Sequence, residues 1–248
     1  MPEQRESRAL VMSVAAVWLA TAVLVLHPHY RAIGADYLGR LGLPSWLMWM
    51  ACAGELVLGL RVAFGVPDRW LAWLQTAAVA GFTVILASVD PALLAHPIGV
   101  LTKNVPLLAA LWCGTLVWSE GWTPRARWIL RMGLGAIWFT EGLFPKILFQ
   151  QPWELAIVAG SGLVPGDPAV FLRWMGAAQL VSGLAVLALP WRALRWLLLA
   201  QAAALIALPL LVSWQEPLLW VHPFGPLTKN VPIVVGTLVL ARRCSTWS

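Results

Sequence analysis

Eight stretches of this 248-residue chain are predominantly apolar, near 9–27, 46–66, 70–89, 99–118, 128–149, 170–190, 196–213 and 224–241. A helix needs about 20 apolar residues to cross a hydrocarbon layer ~30 Å thick, so this spacing predicts eight membrane-spanning helices. Composition points the same way. Hydrophobic residues make up 60% of the chain and charged residues 11%, with a mean hydropathy of +0.77, too apolar for a soluble domain. The first stretch follows MPEQRESR and resembles a signal-peptide core, but it is long and no small-x-small cleavage site follows it, so it reads as a retained span.

A net charge of +6 suggests nucleic acid in a soluble protein, yet here the basic residues sort by topology. Arg5, Arg8, Arg61, Arg69, Arg125, Arg127, Arg131, Arg192, Arg195, Arg242 and Arg243 fall on one side of the eight-span arrangement. Arg31, Arg40, Lys103, Lys146, Arg173 and Lys229 fall on the other. The positive-inside rule then puts both termini in the cytoplasm, which predicts an integral protein of the cytoplasmic (inner) membrane, with the bilayer as partner and no nucleic acid. Cys52, Cys113 and Cys244 stand singly, so neither a disulfide framework nor a thiolate metal site is indicated.

The chain also repeats itself. HPIGVLTKNVP begins at His96, and HPFGPLTKNVP begins at His222, 126 positions on. The same offset relates Arg69-Trp70 and Gln75 to Arg195-Trp196 and Gln201. ELVLGL from Glu55 matches QLVSGL from Gln179, and Trp18 matches Trp138, at slightly smaller offsets, which places the length differences in the outer loops. Four spans per repeat make the duplication parallel, with a pseudo-two-fold axis along the membrane normal. The expected fold is therefore an all-α membrane protein of two four-helix bundles, residues 1–122 and 123–248, joined by the basic turn SEGWTPRAR.

The repeated motif places Lys103-Asn104 and Lys229-Asn230 at the mouth of an apolar stretch. If helix began only after Asn230, the segment to Ala241 would reach about 16 Å, too short to cross. The arithmetic therefore expects helix from near Pro223, with Lys229 and Lys103 ~9 Å below the outer boundary. Glu55 and Glu141 fall at matching depths, ~14 and ~12 Å down by the same rise. This predicts pairing within each bundle, Glu55 with Lys103 and Glu141 with Lys229. Such groups either fix helix register as buried pairs, snorkel to water, or form a ligand or proton site. Lys146, in FPKILF, lies nearer the interface and is expected to snorkel. Gln75 and Gln201 lie mid-span, where an interhelical amide hydrogen bond is the default.

Other signals are weaker. His96 and His222 form an outer-face motif before proline, with no ligand-spaced His, Cys or carboxylate, and no metal is expected. His27 and His29 make an HxH, but Ile147 and Phe149 occupy the matching places, which excludes a duplicated metal site. The 17 tryptophans cluster near span ends as interfacial belts. There is no phosphate loop, nucleophile elbow or haem attachment motif, and no cofactor is evident.

WFTEGLFPKILF, with Trp138, Gly142, Pro145 and Lys146, GELVLGL, with Glu55 and Gly59, and HPFGPLTKN before the last span together resemble the DoxX-like membrane family, whose unit is a four-helix bundle. The resemblance covers nearly the whole chain as two tandem units. It implies a redox or quinone-linked role, since the family takes its name from a subunit of a thiosulfate:quinone oxidoreductase. The halves depart from the pattern in complementary ways. The first keeps Glu55 but has Thr21 and Leu26 where Glu141 and Lys146 stand; the second has Gln179 in place of Glu55. Two functions follow as expectations. One is an accessory or anchoring subunit of a membrane redox system, not catalytic on its own, that contacts quinone and a redox enzyme subunit. The other is a small-solute or proton-coupled transporter using an intramembrane site of Glu55, Lys103, Asn104, Glu141, Lys146, Lys229 and Asn230. A homo-oligomer is compatible with both.

Overall fold

The computed structural model describes residues 2–97 and 99–246. The chain runs through α1 (Pro2–Leu24), α2 (Pro28–Arg40), α3 (Trp46–Phe64), α4 (Arg69–Val89), α5 (Asn104–Glu120), α6 (Pro124–Gly142), α7 (Pro152–Gly160), α8 (Pro168–Ala188), α9 (Trp191–Gln215) and α10 (Asn230–Cys244). No strand occurs among the described residues. Local chemistry sets the helix starts. Asp68, Thr123 and Asp167 accept from the N–H groups of Leu71, Ala126 and Ala169, and proline opens α2, α6, α7 and α8.

α1, α3, α4, α8 and α9 are each long and apolar enough to cross a membrane. α5 and α10 have 17 and 15 residues and fall short on length. α6 carries Arg125, Arg127, Arg131 and Glu141, and continues as a π-helical segment, Leu143–Leu148. The short α2 and α7, of 13 and 9 residues, occupy the loops after α1 and α6 in the two halves. Neither was expected from the sequence, because α2 is of mixed polarity and α7, although apolar, is far too short to give a membrane signal.

The first and last long helices of each half, α1, α5, α6 and α10, build a shared centre. Leu10, Val14, Leu107, Leu111, Leu130, Leu134, Ile233 and Leu240 join one buried cluster that runs across the boundary between halves. α3, α4, α8 and α9 flank it and leave Trp70, Trp73, Trp174 and Trp196 exposed, as helices facing lipid do. Within each half the outer helices stay close to the centre. Gly142 on α6 and Gly176 on α8 meet backbone to backbone, where a Cβ at Gly142 would lie 2.4 Å from the Gly176 carbonyl oxygen.

The expectation that helix starts near Pro223 is corrected. The segments before α5 and α10 form short 3₁₀ turns, Pro91–Ala95 and Pro217–Val221, and then irregular backbone up to Lys103 and Lys229. Lipid would forbid such backbone at membrane depth, but burial in protein permits it. Leu93, Val100 and Leu101 of the first loop pack with Leu219 and Leu227 of the second, so the loops bury each other. Gly99 and Gly225 hold φ at +65° and +57°, the left-handed region, in the two copies. The helix also runs past Ala241 to Cys244, recovering part of the missing length.

Candidate ligand cavities

Lys103 and Lys229 occupy the N-caps of α5 and α10, where the helix dipole disfavours a cation. Each is held from the opposite half. Lys103 Nζ donates to the Pro226 carbonyl at 2.7 Å, and Lys229 Nζ donates to the Val100 carbonyl at 2.9 Å. Val100 and Pro226 are themselves repeat equivalents, so the two bonds are one contact made twice about the pseudo-two-fold axis.

The carboxylates follow the same exchange. Glu141 accepts from Thr102 of the first-half motif and stands with Lys103 against Gly99, where a Cβ would meet Glu141 Oε1 at 2.6 Å and Lys103 Cε at 2.9 Å. Glu55 instead faces Thr21 and Lys229. The expected pairing within each bundle is therefore reversed: Lys103 belongs with Glu141 and Lys229 with Glu55. Depth along the helices was the same either way. Only the exchange of loops between halves decides it.

These groups floor two cavities. The first-half cavity, about 580 Å³, lies among α1, α2, α3 and α4 and is lined at its polar end by Tyr30, Cys52, Glu55, Asn104 and Lys229. The second-half cavity, about 280 Å³, lies among α6, α7, α8 and α9 and takes Lys103, Glu141, Lys146, Glu154, Gln179 and Asn230. The complementary departures of the two halves now have a physical reading. Thr21 and Glu55 share one cavity, Glu141 and Gln179 the other, so each keeps one acidic and one neutral member of the pair. Each cavity thus sets its own carboxylate beside the lysine of the other half.

Lys146 does not snorkel. It is 4% exposed and forms a 3.1 Å ion pair with Glu154 of α7, a partner invisible to span arithmetic because α7, at 9 residues, is too short to register as a span. Thr102 was likewise missed, although it stands within the repeated motif. Gln75 and Gln201 make the expected amide bonds, to Trp18 Nε1 at 3.0 Å and Ser182 Oγ at 2.7 Å. Their difference matters. The equivalent of Trp18 is Trp138, whose indole N–H has no partner among the described residues while Gln201 turns to Ser182. Trp138 Nε1, Glu154 Oε2, Gln179 Oε1 and Asn230 Oδ1 are all buried, all without a hydrogen bond, and all on residues lining the second-half cavity. In the first-half cavity only Glu55 Oε2 is so placed among the described residues. Buried polar atoms of this kind are uncommon and call for a partner.

His96 and His222 close the two 3₁₀ turns as their C-caps and do not lie on the long helices. Burial pushes both imidazoles below their ordinary range, His222 to about 4, with the nearby His96, His29 and Lys229 adding to the effect. His222 Nδ1 accepts from the Phe224 N–H at 3.3 Å and His27 Nδ1 from the His29 N–H at 3.2 Å, so both serve local turns. Among the described residues no group of His, Cys, Asp and Glu is placed to hold a metal ion.

Comparison with known proteins gives one match. The model of the family described as DoxX-like matches twice, over residues 15–112 and 135–238, as two tandem units. No curated protein and no solved structure matches the chain.

Proposed function

The chain belongs to the DoxX-like family, and on that premise we propose an eight-span protein of the cytoplasmic membrane, termini inside, that serves a membrane redox system as a non-catalytic accessory or anchoring subunit. Its task in this reading is to hold a lipophilic quinone-type ligand in the second-half cavity. The observation that carries it is the Trp138 indole N–H, without a partner among the described residues, in a cavity that also takes buried Lys103 and whose remaining wall is largely apolar, with Ile137, Phe171 and Leu208. A quinone ring offers carbonyl acceptors on an apolar body, which suits two donors at one end of an apolar space. Trp138 and Lys103 would hold the carbonyl, Asn230 and Gln179 would bound the ring edge, and Lys146 with Glu154 would remain a neutral pair. When bound, such a ring supplies reversible two-electron, two-proton capacity to a partner enzyme.

The test is binding of a short-chain quinone to the full chain in detergent. Trp138→Phe should weaken it about five- to tenfold, the scale of one hydrogen bond, without lowering thermal stability. Unchanged binding in both Trp138→Phe and Lys103→Met would remove the reading. The transporter alternative draws on the acid–lysine sets of both cavities, half-buried in the first (Glu55, Lys229) and buried in the second (Glu141, Lys103). It requires solute or proton flux in proteoliposomes that disappears with Glu55→Gln or Glu141→Gln.

A further inference from the structure

At the end of the molecule where the chain starts and finishes, α1 and α10 leave a groove of about 510 Å³ between them. It is lined by Arg5, Arg242 and Glu6 together with the apolar Ala9, Leu238 and Val239. The spacing is one helical turn on each wall: Ala9 lies four residues beyond Arg5, and Leu238 four residues before Arg242. Residues so spaced stack on one face, so both helices present a guanidinium above an apolar position about 6 Å nearer the membrane centre.

Positive charge is in excess there, with Arg5, Arg242 and Arg243 set against Glu3 and Glu6. Arg5 and Arg242 are exposed, and neither pairs with a carboxylate among the described residues. The acids close by are already engaged. Glu6 Oε2 accepts from Trp122 Nε1 at 2.9 Å and from Arg243 at 2.6 Å, and Glu3 lies 3.8 Å from the same arginine. The pair is particular to this end of the repeat, since Leu116 stands at the first-half position equivalent to Arg242.

We propose that this groove binds one anionic phospholipid, its phosphodiester between Arg5 and Arg242 and an acyl chain along Ala9, Leu238 and Val239. Arginine forks match phosphate oxygens, and an apolar floor one turn deeper fits a chain rather than a free ion. The inference is independent of what the two inner cavities hold.

The experiment uses the delipidated full chain in detergent, titrated with phosphatidylglycerol or with phosphatidylcholine of the same acyl chains and read by native mass spectrometry. At about fivefold per arginine, phosphatidylglycerol should bind roughly 25-fold more tightly. Arg5→Gln/Arg242→Gln should abolish that preference while leaving phosphatidylcholine binding unchanged. Arg192→Gln/Arg195→Gln, which removes as much charge away from the groove, should retain it. A double variant at positions 5 and 242 with the original preference overturns the proposal. So does displacement of phosphatidylglycerol by an equal concentration of inorganic phosphate, which would mark a site for the ion alone.

Discussion

Lys103 donates across 2.7 Å to the carbonyl of Pro226, a residue of the other half of the chain. Lys229 returns the contact to Val100 at 2.9 Å. An ammonium at the N-terminus of a buried helix is unfavourable, and a carbonyl from a loop that cannot itself be helical offsets part of that penalty. The motif's histidine, proline and glycine build that loop, and its lysine reads the copy opposite. The repeated motif is therefore an interlock between halves as well as the floor of two cavities.

Double-mutant cycles should report the exchanged pairing. Lys103→Met and Glu141→Gln should each lower thermal stability, on the order of 3–5 kcal/mol for an uncompensated buried charge. Their combination should recover part of the loss. Lys103→Met with Glu55→Gln should instead be additive to within about 0.5 kcal/mol, because the two side chains line different cavities. Coupling found for Lys103 with Glu55 and not with Glu141 would contradict the geometry.

The shared centre predicts strong association of separated halves. Fragments 1–122 and 123–248, expressed together, should co-purify, since α1, α5, α6 and α10 bury one continuous cluster and each cavity lacks its lysine without the other fragment. A pull-down through a tag on either fragment checks this. Lys103→Met/Lys229→Met should reduce the yield of the pair. Fragments that are stable but indifferent to each other would refute it.

Much of this was legible in the sequence. Apolar run length announced the long helices, and the offset between His96 and His222 announced the duplication with its lysines and asparagines. Which lysine meets which carboxylate was not legible. Glu55 and Glu141 lie at similar depth, and depth along a helix carries no information about which loop crosses to which bundle. The start of α10 was misjudged for a related reason. The length argument treats the surroundings as lipid, whereas residues 222–229 are packed against the first-half loop, where irregular backbone is tolerated. Lys146 was misplaced because Glu154 stands on α7, a helix of 9 residues with no membrane signal of its own.

Orientation can be read by labelling. Cys52, Cys113 and Cys244 are all buried, so intact cells expressing the native chain should react little with a membrane-impermeant maleimide. Leu94→Cys, at an exposed position in the turn before His96, should react from outside, and Arg125→Cys only after the membrane is opened. The reverse pattern would invert the topology.

The outer histidines should make stability depend on pH with a definite sign. In the unfolded chain an imidazole takes a proton below about 6.5, whereas burial holds folded His222 neutral down to about 4. Between those values the unfolded state binds more protons, so stability falls as pH drops from ~6.5 towards ~4 and levels off below. The loss from this residue is about 3 kcal/mol at most, since 1.36 kcal/mol accompanies each of the roughly 2.5 pH units of separation. His96 is displaced in the same direction and adds to the slope. Protonation would also remove Nδ1 as acceptor for the Phe224 N–H, at 3.3 Å, so the turn that presents Lys229 should loosen over the same range. His222→Asn retains a side-chain acceptor for that turn and removes the titration. Thermal unfolding of the two proteins in detergent from pH 7.5 to 4 should therefore diverge as acid is added, the wild type losing more. Parallel curves would show that His222 is already charged in the folded protein, and that its burial between the two loops is weaker than the structure has it.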